Sequence, residues 1–383
     1  MPLPPTLLAA IPLAIWIYLL VGRGHFWRVR EDDFAPIPLE TWPRVFVIAP
    51  ARNEAATISQ AISSLAKQDY PGEFSVIVVD DHSEDATVAL AQKAADESGT
   101  SLRVKTHSPA PLAPGWTGKL WALDAGVQVA ADQSAEFFWF TDADIEHAPD
   151  TLRRLVIRAE RESLDLASLM VLLQAKTFPE RLLIPPFLYF FLMLYPPRWI
   201  ADPKARTAGA AGGCILLRRS AFERIGGFAS IRGAVIDDCA LARTVKKSGG
   251  KIWMGLTRLS VSLRSYKTFP EIRDLIARTA FTQLRYSFLL LIATLAGLFV
   301  TYLLAWICFF TLDDPGWLLA STAISIMTAT YGATVRFYGL PWLWALTLPF
   351  AAIFYGYATF LSAVRYWLGR GGQWKGRAQA QKG

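Results

Sequence analysis

The sequence predicts an α/β domain with a mainly parallel sheet, joined to apolar helices that enter a membrane. Between residues 43 and 173, short apolar segments alternate with helical periods, which is typical of a parallel sheet covered by helices. Long apolar segments lie near both ends of the 383-residue chain, and 53% of its residues are hydrophobic. That fraction is high for a soluble protein and favours a globular domain beside membrane segments.

The net charge of +7 agrees with two kinds of partner, nucleic acid or an anionic membrane surface. Much of the charge flanks apolar segments, and no nucleic-acid-binding motif is present, so the membrane is favoured. The three cysteines are far apart in sequence and match no zinc or disulfide spacing, which predicts ordinary buried thiols.

Residues 1–24 are interpreted as an N-terminal transmembrane anchor. Residues 3–21 are almost entirely apolar, and Arg23, Arg28 and Arg30 follow them. A cleaved signal peptide would carry its positive charge before the apolar run, whereas here the charge comes after it. The same charge bias predicts that the following domain faces the cytoplasm.

Residues 43–285 are predicted to form the α/β domain. Each predicted strand is short and apolar, and helical periods occupy most of the intervals between strands. The predicted strands cover residues 45–49, 74–79, 102–105, 137–140, 166–173 and 214–217, and the predicted helices include those after residues 57, 87, 117, 150 and 238.

Within this domain, residues 178–200 are dense in Leu, Phe and Tyr but are interrupted by prolines. A bilayer crossing needs about 20 unbroken apolar residues, so this segment is predicted to lie at the membrane interface or to form an acceptor groove. A hydrophobic core helix remains the alternative.

Residues 286–366 contain three further apolar stretches, predicted to be transmembrane helices, and residues 367–383 form a basic tail. The stretches cover residues 288–310, 317–335 and 340–364. Three crossings that start in the cytoplasm would leave the basic tail outside, against the positive-inside rule. Either one stretch is re-entrant or the number of crossings differs from three.

Two carboxylates, Asp142 and Asp144, directly follow the buried strand at residues 137–140. Ligands of open α/β sheets collect at the carboxyl ends of such strands, and two desolvated carboxylates favour a divalent cation. Solvated acids that cap the next helix are the alternative. Together with Asp80-Asp81 and Asp237-Asp238, these acids predict a cation site for a diphosphate ligand. Neither a P-loop nor a G-x-G-x-x-G motif after a strand is present.

Six motifs occur in order along the α/β domain. They are Pro50-Ala-Arg-Asn-Glu54, the stretch at 79–87, Gly118-Lys119, Asp142-Ala-Asp144, the stretch at 213–218 with Gly226-Gly227-Phe228, and Asp237-Asp-Cys-Ala-Leu241. This ordered set resembles the family 2, GT-A type inverting glycosyltransferases, which transfer a sugar from a nucleotide donor. Within that family, the anchor, the tail helices and several of the motif forms look most similar to the hopene-associated glycosyltransferases of bacterial hopanoid biosynthesis.

The resemblance implies a role for each matching residue. Asp144 would bind the metal, Mg²⁺ or Mn²⁺, and Asp238 would be the catalytic base. Carboxylate chemistry agrees, because a hydroxyl that attacks an anomeric carbon must lose a proton. The donor would be bound by Pro50, Arg52, Asn53, Glu54, Asp81, Lys119 and Asp142, with Asp81 facing the base and Asp142 near the ribose.

Two departures from the family pattern bear on function. Asp237-Asp238 stands where the family usually has Glu-Asp, which keeps the second acid. Gln283-Leu-Arg285-Tyr286 is one residue shorter than Gln-x-x-Arg-Trp and ends in Tyr, which argues against a processive polymer synthase. Asp237, Gln283 and Arg285 are candidates for contact with the acceptor or the diphosphate, and a basic residue flanking a membrane helix is the alternative for Arg285.

The sequence therefore predicts a multi-pass enzyme of the bacterial inner membrane whose catalytic domain faces the cytoplasm. It would move a sugar from a nucleotide donor, with UDP favoured, to a lipid acceptor such as a hopanoid or another isoprenoid, without a nucleic-acid partner. Two alternatives stay open: a polyprenyl-phosphate sugar synthase, and a non-catalytic membrane scaffold that binds nucleotide.

Overall fold

The computed structural model describes residues 5–31, 37–100, 103–130, 134–371, 373–374 and 377–378. The first four residues of the predicted anchor and residues 372, 375–376 and 379–383 of the predicted tail lie outside this range.

An eight-stranded mixed sheet forms the centre of the α/β domain, in the strand order β3-β2-β1-β4-β7-β6-β8-β5. Strands β1 to β4 pair in parallel, and β7 pairs antiparallel with both of its neighbours. The strands are β1 Val45–Ala51, β2 Phe74–Asp80, β3 Val104–His107, β4 Phe137–Thr141, β5 Ile145–His147, β6 Leu166–Leu172, β7 Cys214–Arg218 and β8 Ile252–Ser262, with a separate two-stranded ribbon of β9 Gln373–Trp374 and β10 Arg377–Ala378.

In the described part of the α/β domain, the following helices accompany this sheet. They are α2 Ile58–Ala66, α3 Thr87–Glu97, α4 Gly118–Ala130, α5 Thr151–Arg161, α6 Phe178–Leu194, α7 Pro197–Ala201, α8 Arg219–Arg224, α9 Asp237–Lys247 and α10 Phe269–Ala277, with the short α11 Ala280–Gln283 following them.

The chain ends carry the apolar helices. These are α1 Pro5–Ile17, α12 Phe288–Leu298, α13 Leu304–Thr311, α14 Gly316–Phe337 and α15 Leu348–Trp367. A π-helical turn, Phe299–Leu303, joins α12 to α13, so that the two form one continuous helix.

The central strands are buried on both faces, as the apolar run predicted. Along β1, Phe46 and Ile48 belong to one hydrophobic cluster, whereas Val45 and Val47 belong to another on the opposite face. Because side chains alternate between the faces of a strand, a run that is apolar at every position fits a strand with helices on each side. The predicted mixed, mainly parallel sheet is confirmed, although the strand predicted at 102–105 lies at Val104–His107.

The α/β domain differs from the sequence prediction in its strands and in α6. Strands β5 and β8 are not among the predicted strands; they pair with each other, and β8 also pairs with β6. The predicted interruption of residues 178–200 by Pro185 and Pro186 is wrong, because α6 continues through both. Each proline removes one backbone hydrogen-bond donor from the helix, and both proline rings are buried.

The five-residue sequence Lys-Thr-Phe-Pro-Glu occurs twice, at residues 176–180 and 267–271, and begins α6 and α10. In each copy the threonine side chain accepts a hydrogen bond from the backbone amide of the glutamate three residues on. Proline follows at the second helical position, where its missing donor costs nothing. The two phenylalanines, Phe178 and Phe269, lie with their ring centroids 6.4 Å apart.

Among the described residues, three helices are long and apolar enough to cross a membrane, namely Phe288–Thr311, Gly316–Phe337 and Trp342–Trp367. Their positions match the three predicted stretches. The N-terminal apolar helix, Thr6–Gly22, is shorter than these, and it packs along α14. The indole nitrogen of Trp16 donates a hydrogen bond to the carbonyl of Thr301, which joins the N-terminal helix to the π-helical turn.

Candidate active site

A cavity of about 530 Å³ lies at the carboxyl ends of the central strands. Pro50 and Glu54 approach it from β1, and Asp142 and Asp144 approach it from β4. Another part of its wall is mainly apolar and is formed by side chains of α6 and α15, among them Phe187, Phe190, Phe191, Leu194, Tyr355 and Thr359. One continuous space therefore has a charged end and an apolar end.

Lys119 links the acidic groups at the charged end. Its ammonium nitrogen lies 2.7 Å from Oδ1 of Asp142 and 3.5 Å from Oδ2 of Asp237. Burial would lower the pKa of Lys119, but the surrounding carboxylates outweigh it and raise the pKa. Burial likewise opposes ionisation of Asp142, and Lys119 nevertheless holds the pKa of that carboxyl below its ordinary value. Both groups are therefore charged at neutral pH.

Asp238 lies in the first turn of α9, where the helix dipole favours a carboxylate. Its Oδ2 accepts a hydrogen bond of 2.9 Å from the backbone amide of Gly212. Burial and the neighbouring charge of Asp237 raise the pKa of Asp238 to about 6, against the opposing effect of Lys119. A carboxylate with this pKa is ionised at neutral pH and can accept a proton, as a general base requires.

Gly212 is a position where the backbone must approach the site closely. A Cβ atom there would lie 3.1 Å from the Lys119 nitrogen and 3.4 Å from Oδ2 of Asp238. A side chain would therefore displace the lysine or break the amide contact to Asp238.

Asp144 forms part of a second charged group. Arg264 lies with Nε 3.3 Å from Oδ2 of Asp144 and with Nη2 3.3 Å from Oε1 of Glu54. The backbone supports this arrangement, because the amide of Leu263 donates a 2.7 Å hydrogen bond to the carbonyl of Asp144. The loop after β8 is thereby fixed to the loop after β4.

Asp142 and Asp144 offer the oxygen ligands that a hard divalent cation prefers, although each is already paired with a basic side chain, Lys119 or Arg264. Mg²⁺ in nucleotide sites is commonly bound by one or two carboxylates, with phosphate oxygens and water completing the shell. No group of three or more His, Cys, Asp or Glu that could hold a metal occurs among the described residues. A cation here would therefore depend on Asp144, Asp142 and the phosphates of a substrate.

Asp81 lies beside the cavity and not among its lining residues in the described structure. It is almost completely buried, and its Oδ2 lies 3.7 Å from Nη1 of Arg52. Asn53 accepts a hydrogen bond from the amide of Glu84 and has a φ of 52°, which few residues other than Gly, Asn and Asp adopt. Arg52, Asn53 and Asp81 thus form a neighbouring group at the ends of β1 and β2.

Of the two candidate residues from the shortened Gln-x-x-Arg-Trp-like motif, only Gln283 lines the cavity in the described structure. Its amide donates a 2.6 Å hydrogen bond to the hydroxyl of Tyr195. Arg285 is exposed and lies in the turn before α12, with a φ of 52°.

Sequence reasoning missed Arg264 and Arg278, both of which line the cavity. Arg264 lies just after β8, a strand that the sequence pattern does not reveal. Recognition of that strand would have placed Arg264 at the sheet edge. Arg278 follows α10 and acts electrostatically on Asp142, which lowers the pKa of that carboxyl together with the larger effect of Lys119.

The α/β domain is similar to known proteins in sequence and in fold. Residues 46–226 match Glycosyl transferase family 2. A solved structure of the mannosyltransferase PcManGT from Pyrobaculum calidifontis, in complex with GDP-Man and Mn²⁺, is similar with a TM-score of 0.57 at 20% identity, over 94% of this chain and 99% of that one. Residues 46–226 are therefore similar to the family 2 glycosyl transferases, and the mixed sheet is GT-A-like.

Curated relatives match this chain over only part of their length. An N-acetylglucosaminyltransferase from Rhizobium leguminosarum bv. viciae is 27% identical over 235 residues, which cover 57% of this chain and 50% of the relative. The beta-monoglucosyldiacylglycerol synthase from Synechocystis sp. is 31% identical over 125 residues, covering 32% of this chain and 24% of that protein. The chain spans about half the length or less of the curated relatives it matches.

Proposed function

We propose that this protein is a membrane-bound, inverting glycosyltransferase that moves a sugar from a nucleotide-diphosphate donor to the hydroxyl of a lipid acceptor. The observation that carries the proposal is the single cavity with a charged end and an apolar end. A sugar nucleotide is polar and anionic, and a lipid is apolar, so the two ends suit the two substrates of one transfer reaction.

The donor belongs at the charged end. Lys119, Arg264 and Arg278 line it and supply positive charge for a diphosphate. Asp142 is assigned to the ribose. Pro50, Arg52, Asn53, Glu54 and Asp81 are assigned to the nucleoside, with Asp81 facing the base. The N-acetylglucosaminyltransferase relatives and the GDP-Man complex support a nucleotide-sugar donor, and we favour a UDP-sugar.

Asp144, with Asp142 beside it, is the residue that would hold Mg²⁺ or Mn²⁺. The cation would supply positive charge that offsets the negative charge developing on the leaving diphosphate. Arg264, which contacts both Asp144 and Glu54, adds a fixed positive charge at the same place. The Mn²⁺ named with the similar mannosyltransferase structure supports this assignment.

Asp238 is assigned as the general base. The acceptor oxygen forms a bond to the anomeric carbon while the bond from that carbon to the diphosphate oxygen breaks, and the acceptor proton passes to the carboxylate of Asp238. The nucleoside diphosphate leaves with the bonding electron pair, and a single displacement inverts the anomeric centre. Gly212 and the α9 N-terminus orient the carboxylate, and Asp237 raises its pKa towards neutral, which strengthens it as a base.

The acceptor belongs at the apolar end, next to the membrane-side helices. We favour a hopanoid or another isoprenoid alcohol, and the similarity to the beta-monoglucosyldiacylglycerol synthase supports a lipid acceptor. The enzyme would lie in the bacterial cytoplasmic membrane, with its α/β domain on the cytoplasmic side, where nucleotide sugars are made.

The proposal is tested with membranes that contain the protein, incubated with a panel of radiolabelled nucleotide sugars with and without chelator, followed by lipid extraction. We expect label in the lipid fraction with one donor and loss of that label with chelator. Asp238→Asn should abolish transfer while donor binding persists, and the exposed Asp202→Asn serves as the matched control. No labelled lipid with any donor would overturn the proposal. Full transfer by Asp238→Asn would overturn the base assignment and favour a phosphate acceptor, as in polyprenyl-phosphate sugar synthases.

A further inference from the structure

The third apolar helix of the C-terminal region begins on the same side as the α/β domain. The preceding helix, α14, ends at Phe337, whose carbonyl accepts hydrogen bonds of 2.6 and 3.0 Å from the guanidinium of Arg258. Arg258 belongs to β8 of the central sheet. The C-terminal end of α14 is therefore fixed to the α/β domain.

The segment between α14 and α15 folds back and does not leave this side. It forms a 3₁₀ turn, Trp342–Thr347, that packs against the last turns of α14. A Cβ atom added at Gly332 of α14 would lie 3.0 Å from the indole nitrogen of Trp342. The ring of Trp344 lies 5.8 Å from that of Phe178, the first residue of α6.

The first half of α15 lies beside an aromatic and basic group typical of a membrane–water interface. Phe354 packs 6.1 Å from Phe269, and Phe269 packs against Phe178. Each of these two phenylalanines is partly or largely exposed and is preceded two residues earlier by an exposed lysine, Lys267 or Lys176. Aromatic rings and lysines with apolar stems are enriched at this depth of a bilayer.

The end of α15 is also held by the α/β domain. Arg365 forms an ion pair of 2.7 Å with Asp274 of α10. The hydroxyl of Ser362 donates to the carbonyl of Ala277 and accepts from the amide of Phe281. Helix α15 thus lies along α10 and is held by the α/β domain at both of its ends, whereas the far end of a helix that crosses a bilayer lies about 30 Å from the side where the helix entered.

We propose that residues 342–367 form an interfacial membrane segment that lies along the membrane surface on the side of the α/β domain and does not cross the lipid. Its partner is the lipid of the adjacent leaflet, which covers an exposed apolar stripe at helical spacing. The stripe consists of Leu346, Phe350, Ile353, Tyr357, Phe360 and Trp367. The opposite face of α15 carries Tyr355 and Thr359 into the wall of the cavity, so the apolar end of the cavity lies at the depth of that leaflet.

This arrangement also removes the charge conflict found in the sequence. With two crossings in the C-terminal region, Phe288–Thr311 and Gly316–Phe337, the chain returns to the side of the α/β domain before residue 342. Arg365 and Arg370 then lie on the cytoplasmic side if the domain does, as the positive-inside rule requires. The inference rests on the proposed membrane location of the protein, and it does not depend on transfer activity.

The experiment is thiol labelling of single added cysteines by a membrane-impermeant maleimide. The three native cysteines, Cys214, Cys239 and Cys308, are buried and give a low background. Glu97→Cys marks the α/β domain, Asp313→Cys marks the turn between α13 and α14, and Arg370→Cys follows α15, and all three positions are exposed. Right-side-out and inverted vesicles are compared.

We expect Arg370→Cys to be labelled in the same vesicles as Glu97→Cys, and Asp313→Cys in the opposite ones. Labelling of Arg370→Cys together with Asp313→Cys would show that α15 crosses, and would overturn the inference. Labelling of all three in one vesicle type would show that the preceding pair of helices does not cross, and would overturn it as well. Full-chain fusions of a green fluorescent protein or alkaline phosphatase at the C-terminus give an independent readout. None of these results depends on whether the protein transfers sugar.

Discussion

The ammonium nitrogen of Lys119 lies 2.7 Å from Oδ1 of Asp142, and the same nitrogen is within 3.5 Å of Oδ2 of Asp237. One lysine therefore offsets the charge of acids that come from two separate elements, the end of β4 and the start of α9. The positive charge of Lys119 also acts on the proposed base, because it lowers the pKa of Asp238 against the effect of Asp237.

Lys119→Met should lower kcat/KM by roughly a hundredfold, about 2.7 kcal/mol. Removing the ammonium leaves neighbouring carboxylates without their shared counter-charge and weakens the contact with the donor diphosphate. The measurement is steady-state transfer together with donor binding. Lys93→Met is the control, because Lys93 forms an exposed pair with Glu97 within α3. Equal activity of the two variants would contradict the role of Lys119.

The rate of transfer should fall at acidic pH because the proposed base must be ionised. With the pKa of Asp238 at about 6, kcat/KM should drop tenfold per pH unit below that value. Asp237→Asn removes a neighbouring negative charge that raises this pKa, so the acidic limb of the profile should move to lower pH. Asp202→Asn, at an exposed site, should leave the limb in place. A limb unmoved by Asp237→Asn would show that another group titrates.

The fold could be predicted where burial leaves a clear pattern. Strand β1 is apolar at every position because both of its faces are covered, so the sequence alone located it. Strand β8 lacks this continuous apolar pattern, because it contains the polar residues Thr257, Arg258 and Ser260. Their polar groups are satisfied by distant partners, such as the carbonyl of Phe337 for Arg258, and a linear sequence does not show these contacts.

The candidate site could be predicted where its residues lie next to a recognisable strand or helix. Asp142, Asp144 and Asp238 follow a strand or begin a helix, so their positions could be inferred from local patterns. The sheet order separates Asp81 from them, because β1 lies between β2 and β4. Neighbouring strands are about 4.8 Å apart, which places Asp81 beside the cavity and not in its wall. Arg264 reaches Asp144 only through the pairing of distant segments, which local patterns do not reveal.

His147 should make the protein less stable in acid. Its ring is buried between the hydroxyls of Thr141 and Ser260, each 2.8 Å from a ring nitrogen. Burial lowers the pKa of His147 to about 3, whereas an unfolded histidine has a pKa of about 6.5. Above pH 6.5 neither state is protonated, and below it only the unfolded chain takes up the proton, so stability falls as the pH falls.

Between pH 6.5 and 5 this group should cost about 2 kcal/mol of unfolding free energy. His147→Gln should therefore lose less unfolding free energy over that interval than the unsubstituted protein, even though its unfolding free energy at pH 6.5 is lower. Thermal unfolding in detergent at both pH values provides the comparison, with His107→Gln as the control. The same acid-induced loss in His147→Gln and the unsubstituted protein would assign the effect to other groups.

Glu180 should fix the loop that carries Arg264. Its side chain is completely buried, and one carboxylate oxygen accepts from the amides of Lys176 and Thr177. The other oxygen accepts from the Ser265 hydroxyl and the Tyr266 amide, at 2.8 and 2.7 Å. These hydrogen bonds hold the pKa of Glu180 below its ordinary value, although burial opposes ionisation. The start of α6 is thereby joined to the residues that directly follow Arg264.

Glu180→Ala should lower the unfolding free energy by about 2–4 kcal/mol, because four buried donors lose their acceptor. It should also raise the donor KM more than it lowers kcat, since Arg264 would no longer be held between Glu54 and Asp144. The chain contains a matched control in Glu271→Ala, from the second Lys-Thr-Phe-Pro-Glu sequence, because Glu271 is exposed. Thermal unfolding and donor titration of both variants separate the two effects. If Glu180→Ala is destabilised but binds the donor normally, the residue supports the fold without positioning Arg264.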